Sequence, residues 1–172
     1  MQLPLFAIKL STYENTEKRR AEMAKQESLS NGECPVARTL EAIGERWCLM
    51  IIREAFDDVR RFGEFQKNLG LARNILAARL KKLVETGIFT VSPASDGSAY
   101  KEYVLTEKGR SVFPIVIAMR QWGEQYLFGK GEMHSVLLDN EHNQAILPLE
   151  VRSACGDKLR PEQCHRQRII KQ

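Results

Sequence analysis

The sequence predicts a mainly α-helical chain carrying one small β-hairpin, α+β in class, and three observations support this. Apolar residues recur at helical spacing before residue 87 and again after residue 106, with Leu76, Leu80, Leu83 and Val84 the clearest run. Between those blocks the period changes: residues 88–92 and 100–106 are rich in β-branched and aromatic side chains, and the PASDGSA stretch between them is dense in turn formers. A length of 172 residues with 43% hydrophobic content allows one ordinary core with appended arms. The expected organisation is an N-terminal arm over 1–31, a main domain over 32–128 and a C-terminal extension over 129–172.

Taken in order, the arm is charge-dense over residues 14–29, where Ala21, Met23 and Ala24 are the only sizeable apolar content before Leu29. Such a segment is either a solvated arm or a helix that packs on a partner subunit. Ser30-Asn31-Gly32 breaks the pattern. Pro35 suits the first turn of a helix running to Ile43, with Val36, Leu40 and Ile43 facing inward, and Gly44 ends it. A second helix spans 45–56, with Trp47 as a core residue and Cys48 inside an apolar run, and Asp57-Asp58 closes it. Residues 60–63 form an extended link. Phe62, Phe65 and Leu69 anchor a brief helix over 63–68, and Gly70 turns the chain into an amphipathic helix over 70–87. The outer face of that helix is small and smooth at Ala77 and Ala78 and bordered by Arg73, Asn74, Arg79, Lys81 and Lys82. Small residues permit close approach, while cations and an amide hold phosphates and read base edges. Two helices joined by a short Gly-containing turn, the second with such a face, are the organisation of a helix-turn-helix.

The hairpin, with its tip near Asp96-Gly97, converts this into a winged helix-turn-helix. Thr106 caps the next helix, with Glu107 in its first turn. Val112, Ile115, Val116, Met119 and Trp122 then follow at helical spacing to about Tyr126, and Pro114 bends that helix or marks a restart. So long an apolar stripe has more surface to bury than a small winged domain offers, which makes it a subunit interface, with packing back on its own domain as the alternative. In the extension, residues 135–139 and 145–151 are expected to form a second β-hairpin across 140–143, followed by a basic, irregular tail.

Twenty-six Lys and Arg against 22 Asp and Glu give a formal charge of +4, which permits an anionic partner without requiring one. No segment approaches the roughly 20 apolar residues that cross a bilayer, so no membrane association is expected. The N-terminus lacks the pattern of a secretory signal, the expected location is cytoplasmic, and Cys34, Cys48, Cys155 and Cys164 are expected as reduced thiols. Cys155, Cys164 and His165 are soft ligands with only His134 or His142 as a fourth, and paired Cys-x-x-Cys knuckles are absent, so no metal or other cofactor is expected. The sequence also lacks a Gly-rich phosphate loop, paired carboxylates in an apolar setting and a nucleophile elbow; no catalytic residue and no enzyme activity are expected.

Cys34-Pro35-Val36, Ile43-Gly44-Glu45-Arg46-Trp47, Arg61-Phe62, Arg79-Leu80-Lys81-Lys82-Leu83 with Thr86-Gly87-Ile88, the run from Glu102 to Arg110, and Trp122-Gly123 together resemble the HxlR-type winged-helix transcriptional regulators, relatives of the MarR group, over about residues 34–127. The resemblance implies a homodimeric protein that binds double-stranded DNA, its terminal helices making the dimer and its two recognition helices entering successive major grooves of an inverted repeat. On that reading Arg73 and Asn74 supply base-edge contacts and Ala77 and Ala78 meet thymine methyls or permit close approach. Arg79, Lys81, Lys82 and Lys101 neutralise phosphates, and Val112, Ile115, Val116, Met119 and Trp122 form the dimer interface. Several members of the family resembled sense thiol-reactive compounds through the cysteine that Cys34 matches, and the start of a helix favours a thiolate. The alternatives are a regulator that responds to a small-molecule effector and a winged helix used only for protein contacts. Three departures from the family pattern stand out: Ala72 replaces the usual capping Ser or Thr, the wing carries Lys101 and an acidic Asp96 where an Arg is common, and Glu45-Arg46 replaces Gly-Lys.

Overall fold

The computed structural model describes residues 33–167, so the expectation of an N-terminal arm over 1–31 lies outside the described residues. The chain separates between Gly109 and Arg110, inside the 32–128 segment, into two compact units. The first holds α1 (Pro35–Ile43), α2 (Arg46–Phe56), α3 (Phe62–Leu69), α4 (Arg73–Glu85), β1 (Phe89–Pro93) and β2 (Lys101–Leu105). A single turn of helix, α5 (Glu107–Arg110), lies at the boundary.

The core of the first unit is the meeting of α2, α3 and α4 at the base of the hairpin. Cys48, Ile51, Ile52, Phe65, Leu76, Leu80, Leu83, Ile88 and Phe89 are all fully buried. Phe89 receives Phe65 edge-on at 6.3 Å and Tyr103 at 6.5 Å between ring centroids. Full burial of each large apolar side chain is worth about 1.5–3 kcal/mol, so this cluster rather than helix propensity holds α4 in place. Three expected core residues, Trp47, Val36 and Leu40, are corrected. Trp47 is half-buried and has the Arg46 guanidinium over its ring at 4.3 Å, because the inward turn of α2 is taken by Cys48, Ile51 and Ile52. On α1 only Ile43 is buried, whereas Val36 and Leu40 are 66% and 52% exposed.

The turn chemistry sets the frame of α3 and α4. Gly70 caps α3 in the left-handed conformation (φ +62°), so α4 begins only at Arg73, later than the expected 70–87 helix. Its N-cap is Ala72, which makes no side-chain capping bond, as the departure from the family pattern implies. β1 and β2 pair antiparallel from Phe89↔Leu105 to Pro93↔Lys101, with Gly97 at positive φ in the turn. Thr106 fastens the exit: its hydroxyl lies 2.6 Å from the Gly87 carbonyl and accepts the Gly109 amide at 3.0 Å.

The second unit is built on α6 (Phe113–Tyr126), which carries Pro114 in its first turn; the proline marks a restart rather than a bend. The expected second hairpin appears as pairing close to its turn and not as two named strands: Leu138 and Ala145 make an isolated antiparallel bridge, the Asp139 amide donates to the Gln144 carbonyl at 2.9 Å, and a further bridge joins Arg152 and Lys158. The Asp139 carboxylate collects the amides of Glu141, His142 and Gln144. Gln121 of α6 donates to the Leu147 carbonyl at 3.0 Å and accepts the Leu149 amide at 2.8 Å. Beyond that short pairing, the Leu147 carbonyl and the Leu149 amide are committed to the Gln121 side chain. A short 3₁₀ turn, Pro161–Gln163, follows. Among the described residues no helix is long and apolar enough to cross a membrane.

Candidate nucleic-acid interface

With Leu76, Leu80 and Leu83 buried, α4 presents Arg73, Asn74, Ala77, Ala78 and Lys81 as exposed residues. The smooth patch of two alanines and its flanking amide and cations therefore lie on the surface together. Arg73 stacks its guanidinium over Phe62 at 5.6 Å, which steadies it beside the helix start. Lys81 is loosely paired with Glu85 at 3.7 Å and its side chain is 77% exposed, a contact that solvent weakens.

Arg79 and Lys82, both expected to meet phosphates, are paired within the chain. Both turn to the edge of α4 and bind one carboxylate: Lys82 Nζ lies 2.7 Å from Glu45 Oε1 and Arg79 Nη2 lies 2.6 Å from Glu45 Oε2. The hydrogen bond from Lys82 above all, with the charges of Lys82 and Arg79, holds the Glu45 carboxyl below its ordinary value against the opposing effect of burial. Beneath them, burial pushes the Cys48 thiol up.

Lys101 is exposed at the far end of β2, opposite Pro93. The acidic wing tip is not an unbalanced charge: Asp96 pairs with Arg61 at 2.5 Å. That contact, then the bond from Ser98, holds its carboxyl far below the usual carboxylate range. Arg61 also lies 3.6 Å from the buried Glu102, which accepts the Ser95 hydroxyl at 3.1 Å, and Arg60 stands 3.9 Å away. These groups line a polar cleft of about 390 Å³ under the wing. Sequence reasoning missed Glu45 and Arg61 as partners of the interface. Both are single charged residues at element starts, and nothing in their spacing says which cation or carboxylate they meet.

The remaining predicted residues lie elsewhere. Cys34 is exposed and occupies the N-cap position of α1, with Pro35 next. On the second unit Val112 is buried and Val116 half-buried, while Ile115, Met119 and Trp122 are exposed along α6, and Trp122 leans on Tyr126 at 5.5 Å. Among the described residues no three His, Cys, Asp or Glu side chains are grouped to hold a metal, so Cys155, Cys164 and His165 are not gathered.

Three helices closing on a hairpin, with the second helix of the turn pair exposing a small, basic and amide-bearing face, define a winged helix-turn-helix protein. Residues 42–130 match the HxlR-like helix-turn-helix family, and the chain belongs to that family. It is 50% identical over 92 residues, 54% of its own length, to the HTH-type transcriptional regulator Rv3095 of Mycobacterium tuberculosis, of which it covers 58%. It is 33% identical over 94 residues to the HTH-type transcriptional regulator YdeP of Bacillus subtilis, 54% of this chain and 73% of that one. The chain thus spans little more than half the length of the mycobacterial relative. Among solved structures, PA1607, described as a transcription factor, superposes with a TM-score of 0.79 at 48% identity, over 83% of this chain and 99% of that one. This likeness extends well beyond the residues that the family matches. These mycobacterial relatives are described as HTH-type transcriptional regulators.

Proposed function

We propose that this protein is a transcriptional regulator that binds an inverted-repeat operator as a homodimer, with α4 as the recognition helix. The observation that carries the reading is the exposed Ala77–Ala78 patch bordered by Arg73, Asn74 and Lys81. Small side chains let the helix approach the floor of the major groove. Asn74 and Arg73 then offer the donor and acceptor geometry that distinguishes base pairs, and Lys81 and Lys101 meet phosphates. The exposed stripe of Ile115, Met119 and Trp122, with half-buried Val116 beside it and buried Val112 behind it, is the surface through which a second copy brings a second recognition helix one helical turn away. The effector reaches the protein through Cys34, the thiol exposed at the start of α1, whereas Cys48 is sealed in the core.

The test is fluorescence anisotropy of a duplex carrying the protein's own upstream region, titrated at two salt concentrations with dithiothreitol and then with diamide, against unrelated duplex. Selective binding that falls steeply with salt and is abolished by diamide in the wild type, but not in Cys34→Ser, supports the whole reading. Selective binding indifferent to diamide keeps the regulator and moves the signal to a small-molecule effector. No preference over unrelated duplex at either salt removes the DNA-binding role and leaves a winged helix that contacts another protein.

A further inference from the structure

Arg79 and Lys82 stand three residues apart on one edge of α4, between its buried leucines and its exposed alanines. Both are cations of the helix proposed to enter DNA. Yet their side chains are only 30% and 28% exposed, against 77% for Lys81, and both are spent on Glu45 at the N-cap of α2. The arrangement is divalent: Lys82 takes one carboxylate oxygen and Arg79 the other. Each contact is a charge-assisted bond at optimal length, the kind that a phosphate's two free oxygens would otherwise receive. We propose that Glu45 is an internal stand-in for a DNA phosphate, which holds Arg79 and Lys82 off the duplex. It thereby lowers the part of DNA affinity that is blind to sequence.

The inference rests on the DNA-binding role proposed above and adds to it a specificity-determining residue that itself touches no base. Phosphate contacts add affinity to every duplex equally, whereas base-edge contacts add it only to the right one. A carboxylate that withdraws two cations per subunit from the phosphates leaves the Asn74 and Arg73 contacts intact. The ratio of operator to non-specific binding rises as a result. Glu45 also makes the α2–α4 contact stiff in charge as well as in packing, since the same two cations bridge the helices whose leucines and isoleucines form the core.

Glu45→Gln tests this in the full-length protein. Gln keeps the shape and one acceptor oxygen for Lys82, but its amide nitrogen cannot accept from Arg79, so at least one cation per subunit is released. The logarithmic salt slope should steepen by about 0.9 for each cation that reaches a phosphate, or about 1.8 for a dimer, an extra factor of roughly 12 across a fourfold change in salt. Affinity for unrelated duplex should rise at low salt and the operator preference should fall. Adding Lys82→Gln to the Glu45→Gln protein should leave its steepened slope in place or return it part of the way to the wild-type value. An unchanged slope in Glu45→Gln, or weaker binding at the same slope, overturns the proposal in favour of a purely structural tie. Wild-type protein titrated alongside separates the two levels: if it binds no duplex, the DNA-binding reading itself has failed. Should Glu45→Gln not fold, Arg79→Gln in the otherwise wild-type chain decides. A slope within error of wild type supports the stand-in, and one flattened by about 1.8 overturns it.

Discussion

Gly109 provides the sharpest test of how the wing is fastened. It sits in α5 against the base of the hairpin, and a Cβ built there would lie 2.2 Å from the Ile88 carbonyl oxygen and 2.9 Å from Leu105 Cδ2. The leucine methyl can rotate away, but the carbonyl is backbone, held by the Thr106 amide at 3.0 Å. Relieving an overlap of at least about 1 Å therefore means moving the start of β1 or the whole of α5. Overpacking of this kind costs about 1–3 kcal/mol. Loosening the Thr106 bond adds about 1 kcal/mol, and the better helix propensity of alanine returns about 1 kcal/mol. Gly109→Ala should thus lose about 1–3 kcal/mol, a fall of about 4–8 °C in the unfolding midpoint for each kcal/mol in a domain of this size. The assay is thermal unfolding followed by circular dichroism at matched protein concentration. Propensity alone predicts the opposite sign, so a variant that melts at or above the wild-type temperature would refute the close packing of α5 on Ile88.

Three further outcomes follow from the same geometry. Asn74→Ala should cost about 1–3 kcal/mol of operator affinity and relax the preference at one base position, read by anisotropy on a panel of single-base operator variants; uniform weakening across the panel would count against a base contact. Asp96 has its carboxyl held below the ordinary aspartate value of about 3.9 by Arg61, so its contribution to wing stability is present above that value and lost only as acid titrates the folded group. A carboxyl NMR titration should find Asp96 still ionised where free aspartates are protonated, and an ordinary titration curve would sink the Arg61 contact. Replacing Met119 and Trp122 together with alanine should shift sedimentation toward the monomer at micromolar concentration, and an unchanged oligomer would move the interface away from α6.

The elements legible in the sequence were those whose periodicity reports one-sided burial. The alternation of Leu76, Leu80 and Leu83 gave α4, and the turn residues around Asp96-Gly97 gave the hairpin, because each is a local pattern that any tertiary context must respect. Where a local pattern had a competing partner, it misled. Residues 135–151 carry strand-like composition and pair at Leu138↔Ala145, but Gln121 takes the Leu147 carbonyl and the Leu149 amide that a longer ladder needs. Val36 and Leu40 have the right spacing for a core and remain exposed among the described residues, since helical spacing says that a face is apolar and not what covers it.

The same distinction divides the candidate interface. The small, basic face of α4 at Arg73, Asn74, Ala77, Ala78 and Lys81 follows from the sequence alone, because the buried leucines fix which residues point outward. Which cations of that helix hold a carboxylate of the same chain was decided by tertiary structure. Arg79 and Lys82 lie at its edge, and the fold brings Glu45, more than thirty positions away in the chain, within 2.7 Å of them. Arg61 and Asp96 are joined in the same way across the wing. Charge pairing at such separations depends on where α2 and the α2–α3 link are packed, and burial of Cys48, Ile51 and Phe65 settles that rather than any spacing along the chain.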